Sequence, residues 1–189
     1  ATQEQILHGQ ELFQGRGLQQ YGSVLGHGAY IGPDFTAEYL RLTTDAAVKQ
    51  YREEGKQEPR ELVKNEWRKE NKYDESSKTL NWTAGQTKGF DQMVNHYRDT
   101  LTKDNTSQGL FPNAIKSEEE LHDLVAFFGW TAWASAAERP NQDYTYTNNW
   151  PAEANVDNKP TADLMVWSAL SLIALVGGTG LMFAIYGRW

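Results

Sequence analysis

The chain has 189 residues, 39% of them hydrophobic and 23% charged, with 18 Lys and Arg against 25 Asp and Glu and a formal charge of −7. That length is one ordinary domain with some to spare, and the acidic balance argues against a nucleic-acid partner, which needs a basic stripe to displace counterions. No cysteine is present, which excludes disulfides, thiolate zinc sites, iron–sulfur clusters, cysteine nucleophiles and thioether-linked haem.

In chain order, Thr2 and Gln5 have capping-box spacing ahead of Ile6, Leu7 and Phe13, which predicts a first helix ending at Gly15 to Gly17. Residues 22–33, GSVLGHGAYIGP, carry Gly22, Gly26, Gly28 and Gly32. That density prevents a stable helix and permits close backbone approach, so something is expected to lie against this loop. Gly26-His27-Gly28 begins like a dinucleotide fingerprint, but the later spacing fails and no strand precedes it. Pro33 suits a first helical turn, and Phe35, Tyr39, Leu42 and Ala46 recur at helical spacing, predicting a second helix to about Gly55.

Between Asp45 and Lys78 about half the residues are charged with mixed signs, and Pro59 interrupts the run. The stretch reads as solvated helices projecting from the body. Thr83 with Gln86 starts another helix carrying Phe90, Met93, Val94, Tyr97 and Leu101 on one face. Ser117 with Glu120 starts the next, with Leu121, Leu124, Val125 and Phe128 inward and Trp130 and Trp133 continuing the apolar face. Residues 138–163 lack periodicity and read as an ordered tether.

Residues 164–186 contain no charge and, at about 1.5 Å per residue, cover a hydrocarbon core of roughly 30 Å. This is read as a transmembrane helix, with Trp167 near one end and Tyr186, Trp189 and Arg188 at the other as headgroup anchors. The lipid bilayer is the first expected partner. Arg188 suggests a cytoplasmic C-terminal end, which puts the body outside the cytoplasm.

Independent catalytic motifs are missing. His8, His27, His96 and His122 are widely spread, with no His-Glu-x-x-His pair and no Gly-x-Ser-x-Gly elbow. His27, in the glycine loop, reads as a hydrogen-bonding surface group. Asn81-Trp82-Thr83 and Asn105-Thr106-Ser107 fit the glycosylation acceptor pattern, which arises often by chance.

Three separate words carry a resemblance: GSVLGHGAYIGPDFTAEYLR at 22–41, WTAWASAAERPNQDYTYTNNWP at 130–151 and PTADLMVWSALSLIALVGGTGLMFAIYGRW at 160–189. In that order they resemble the N-terminal region of quinol-dependent nitric oxide reductases, and the match is weakest near residues 45–80. The resemblance implies a mainly α fold: a cytochrome c-like helical domain without haem at 1–137, with a charged helical insertion at about 45–80, then the tether and the membrane helix. In that family the catalytic bundle follows this region, so the chain reads as a fragment.

The related cytochrome-dependent enzymes carry a haem-attachment motif running into a Gly-x-Gly-Ala-Tyr loop. Alignment on Gly26, Gly28, Ala29 and Tyr30 places Leu18 and Tyr21 at the two haem-linking cysteines and Gly22 at the proximal histidine. Phe111 stands near the distal methionine. The resemblance implies that Leu18, Tyr21 and Phe111 fill the vacated haem volume together, because an empty cavity of that size costs too much stability. It further implies that the backbone of Gly28 and Tyr30 helps to hold a bridging calcium, and that Gly28→Val weakens docking more than it unfolds the domain.

The expected function follows: the chain is a structural and docking portion of an enzyme reducing two nitric oxide molecules to nitrous oxide. No catalytic residue is assigned to it. The family places haem b, high-spin haem b and a non-haem iron in the missing catalytic membrane bundle, which is the expected partner together with membrane quinol. The expected location is the cytoplasmic membrane, with the body on the periplasmic side. The alternative is a membrane-anchored interaction or scaffold domain without catalysis.

Overall fold

The computed structural model describes residues 1–69, 72–103, 106 and 109–187. Arg188 and Trp189 of the helix end, and Asn105 and Ser107 of the second acceptor pattern, lie outside them. The chain divides into two units, Ala1–Lys159 and Pro160–Trp189.

The first unit is built on α1 (Gln3–Gly15), α2 (Phe35–Glu53), α3 (Pro59–Arg68), α4 (Ala84–Leu101) and α5 (Glu118–Ala136). Two short antiparallel hairpins join them: β1 (Ser23–Val24) with β2 (His27–Gly28), and β3 (Tyr73–Asp74) with β4 (Thr79–Leu80). The two capping boxes form as spaced. Thr2 Oγ1 accepts from the Gln5 amide at 3.2 Å while the Thr2 amide donates to Gln5 Oε1 at 3.0 Å. Thr83 and Gln86 repeat the exchange at 3.2 and 3.1 Å.

At α5 the exchange is one-sided: Ser117 Oγ accepts from the Glu120 amide at 3.1 Å. The Glu120 carboxylate instead accepts from Arg16 and from the Lys116 amide, both at 2.7 Å. Pro33 stands ahead of α2 rather than in its first turn, because Asp34 takes the cap, accepting from the Ala37 amide at 2.9 Å.

The core lies between α1, α2, α4 and α5. Gly9 lets α1 approach α5: a Cβ there would stand 2.0 Å from the Asp123 carbonyl oxygen. Beside this crossing, Phe35 and Phe128 stack at 4.4 Å with their planes 3° apart. Tyr97 meets both edge-on at 5.6 and 5.3 Å, and Phe13 does so at 6.0 and 6.1 Å. Edge-to-face and offset contacts of this kind add to what area burial alone supplies.

The charged stretch does not simply project into solvent. α3 turns Val63, Trp67 and Arg68 inward, leaves Arg60 and Glu61 exposed, and holds Lys64 and Glu66 half-buried. Pro59 stands at its first turn, where the missing N–H costs nothing. The buried Arg68 guanidinium donates to Glu138 at 2.8 Å, Asn158 at 2.8 Å, and the carbonyls of Val156 and Asp143 at 3.2 and 3.1 Å. Residues 138–158 are therefore laid against the body and grouped with it. A buried guanidinium needs acceptors, and this segment, expected as an ordered tether, supplies them.

The second unit is one helix, α6 (Ala162–Tyr186), begun by Thr161, whose hydroxyl accepts from the Leu164 amide at 3.3 Å. Its 25 residues span about 37 Å at 1.5 Å each, and none is buried. It is long and apolar enough to cross a membrane. The Thr179 hydroxyl, within the apolar stretch, is satisfied inside the helix by the Leu175 carbonyl at 2.7 Å.

Candidate functional site

The site grows from the turn after α1. A short 3₁₀ turn at Leu18–Gln20 leads into Tyr21 and Gly22, and the loop then folds back as the β1–β2 hairpin. Five polar contacts fix its root. The Ala29 amide donates to Gln19 O at 2.9 Å, the Gly32 amide to Tyr21 O at 2.6 Å and the Ser23 amide to Pro33 O at 3.0 Å. Asp34, already capping α2, also accepts from Ser23 Oγ at 2.8 Å and the Gly26 amide at 2.9 Å. Trp150, from the segment after α5, lies against Gly26.

Below the loop is a satisfied polar step into the core. The Leu25 amide donates to Thr36 Oγ1 at 3.1 Å, which donates to buried Thr131 Oγ1 at 3.0 Å. Tyr97 donates its hydroxyl to Glu38 at 2.8 Å, and His96 approaches the same carboxylate at 3.5 Å. Burial pushes the Tyr97 hydroxyl well above the usual phenol range, and Glu38 pushes in the same direction. Tyr21 is raised for the same two reasons, burial first.

The residues singled out from the sequence separate into two groups. Leu18, Tyr21 and Gly22 are buried at the root, and the Tyr21 ring tilts against Phe35 at 6.3 Å. Phe111 does not join them: it is 55% exposed, its ring resting on Gly17. The reason is volume. Phe35, Phe128, Phe13 and Tyr97 already fill the space behind Leu18 and Tyr21, so the loop before α5 has no vacancy to reach into.

Gly28 and Tyr30 lie at the loop's exposed end. Tyr30 is 92% exposed and Ile31 69% exposed, with Ile31 beside Gly109. Gly28 has φ +142°, and a Cβ there would stand 2.4 Å from Gly22 O and 2.8 Å from Ser23 Cα. A valine at Gly28 would strike the loop's own backbone, so the substitution carries a cost to the fold beside any effect on docking.

Backbone carbonyls are hard oxygen donors suited to calcium. Among the described residues, however, no group of three or more His, Asp or Glu side chains is placed to hold a metal.

Two residues that position the loop, Asp34 and Trp150, do not stand out in the sequence reading. The Asp34-to-Ala37 cap spacing after Pro33 is a readable signal for the first; nothing local points to the second, more than a hundred residues from the loop. His27 is exposed, as a surface histidine.

No curated protein matches the chain. The family model for the NorB cytochrome c-like domain of nitric oxide reductase matches residues 1–152. That span takes in α1 to α5, the glycine loop and Trp150, and with it the chain belongs to the family of NorB cytochrome c-like domains of nitric oxide reductase.

Proposed function

We propose that the chain is the N-terminal portion of a membrane-bound, quinol-oxidising nitric oxide reductase, and that its body docks on the catalytic membrane bundle without passing electrons through a haem of its own. The overall reaction balances as two nitric oxide plus one quinol giving nitrous oxide, water and quinone. Two electrons and two protons come from the quinol. Haem b, high-spin haem b and non-haem iron belong to the catalytic portion, and this chain contributes no group to the bond-making step. A quinol in the bilayer delivers electrons directly to a membrane haem, so the body needs no relay.

The observation that carries this reading is the contrast within one loop. Its root is closed by Leu18, Tyr21 and the aromatic cluster, while its tip presents Tyr30 and Ile31 to the outside. The residues do not fit thioether-bound haem: no cysteine exists to attach it, and Gly22 has no imidazole. An apolar tip on a loop whose own contacts are complete suits a protein partner. Gly28 and Tyr30 would offer carbonyl oxygens to a calcium ion shared with that partner. α6 supports a membrane location, and the cytoplasmic membrane with the body on the periplasmic side is the placement proposed.

The test is Tyr30→Ser combined with Ile31→Ser in the complete enzyme. Quinol-dependent nitric oxide consumption is expected to fall while the far-UV spectrum and unfolding midpoint of the body are unchanged. Full activity in the double variant contradicts the docking role.

A further inference from the structure

The hairpin within the glycine loop turns through a residue whose backbone is held against its own preference. β1 and β2 pair Val24 with His27, so Leu25 and Gly26 are the two residues of the turn, with φ of +53° and +77°. Positive φ at both positions is the pattern of a type I′ turn, for which the favoured pair is Asn-Gly. Glycine suits the second position. Leucine does not suit the first, because its Cβ crowds the backbone in the left-handed region. Its side chain accounts for its presence: Leu25 is half-buried against the domain core. Packing selects the residue while its backbone resists the turn.

A strained backbone persists only where its surroundings over-determine it, and here the first turn of α2 does so. The Leu25 amide donates to Thr36 Oγ1 at 3.1 Å, and buried Thr36 is itself fixed by Thr131. The Gly26 amide and Ser23 Oγ donate to one Asp34 oxygen, Oδ2, at 2.9 and 2.8 Å, while Oδ1 caps α2. A single carboxylate thus ties the turn to the helix. The tip follows β2 directly: Tyr30 and Ile31 stand between the amides of Ala29 and Gly32, which donate to the carbonyls of Gln19 and Tyr21. Both sides of the exposed pair are fixed within the chain itself, which removes an ordering cost from docking.

We propose that docking depends on this strained turn, with Asp34 as the positioning residue that holds it: released from the carboxylate, Leu25-Gly26 relaxes and Tyr30 and Ile31 lose their fixed presentation. The inference rests on the docking role proposed above. Asp34 acts through the loop and not on the partner. Its bond to the Gly26 amide lies at the surface, where water replaces a lost acceptor, so releasing the turn loosens the loop without unfolding the body.

The test has two arms. In the full chain in detergent, amide hydrogen exchange is read at Ala29 and Gly32, whose own acceptors the substitution leaves untouched, and at Ala37 and Glu38 in the first turn of α2. Asp34→Ser keeps a hydroxyl to cap α2 and removes the oxygen that holds Ser23 and Gly26. It is expected to speed exchange at Ala29 and Gly32 about tenfold, the scale of one lost charge-assisted bond, and to leave Ala37 and Glu38 as they are. Adding Leu25→Asn, which suits the turn without outside help, is expected to restore slow exchange. In the complete enzyme, Asp34→Ser is expected to lower quinol-dependent nitric oxide consumption, and the pair of substitutions to recover it. Unchanged exchange at Ala29 and Gly32, or exchange that rises equally at Ala37 and Glu38, overturns the positioning role. Full activity in Asp34→Ser, where Tyr30→Ser with Ile31→Ser lowers it, overturns the role and leaves docking standing. Full activity in both removes the docking reading, and this inference with it.

Discussion

The root and the tip of the glycine loop are nine residues apart and use the same kinds of side chain to opposite ends. Tyr21, at the root, is 8% exposed against Phe35, whereas Tyr30, at the tip, is 92% exposed. The root is part of the domain's own stability. The Tyr30 ring at the tip is left to the solvent, and the docking proposed above gives such a ring a partner. Substitutions at the two ends should therefore separate cleanly into loss of fold and loss of docking.

The largest effect is expected in the aromatic cluster behind the root. Phe128→Ala should cost about 3–5 kcal/mol of stability, measured by urea unfolding, because the ring is fully buried and stacked on Phe35. Arg68→Ala comes next, at about 3 kcal/mol. It leaves Glu138 half-orphaned and frees residues 138–158, so limited proteolysis should cut that segment first. Gly28→Val should cost about 1–3 kcal/mol by unfolding measurements, through its left-handed backbone and the clash with Gly22. Equal stability to the parent chain would show that the loop can re-form around a side chain.

At the tip, Tyr30→Ser and Ile31→Ser should each change stability by less than about 0.5 kcal/mol, while lowering activity in the complete enzyme. The smallest effect is electrostatic. His8 Nδ1 lies 2.7 Å from the buried Asp123 carboxylate, and that hydrogen bond holds the imidazole above its ordinary value despite some opposing desolvation. A raised folded value means that this contribution is complete below about pH 6.5, the unfolded value, and is lost as pH rises through the folded one. Asp123→Asn should flatten that part of the stability–pH curve, and an unchanged curve would show the pair to be inert.

Much of the helical frame is legible in the sequence because its signals are local. Thr2-Gln5 and Thr83-Gln86 set helix starts through contacts three residues apart, and α6 declares itself by length and lack of charge. What is not legible depends on distance. The charged run hides a buried Arg68 because its acceptors lie 70 to 90 residues ahead. The β1–β2 and β3–β4 hairpins are two residues per strand, too short to show alternation. Phe111 is expected at the root because the resemblance places it near a distal ligand. Helix periodicity puts Phe35 and Phe128 on core-facing positions, and they occupy that space first.

Docking requires above all that the tip be covered in the complete enzyme. A photoreactive benzoylphenylalanine placed at Tyr30 should, on illumination, cross-link to the catalytic membrane portion, with the same probe at Leu7, half-exposed on α1, giving no such product. Cross-linking from Leu7 and none from Tyr30 would contradict it.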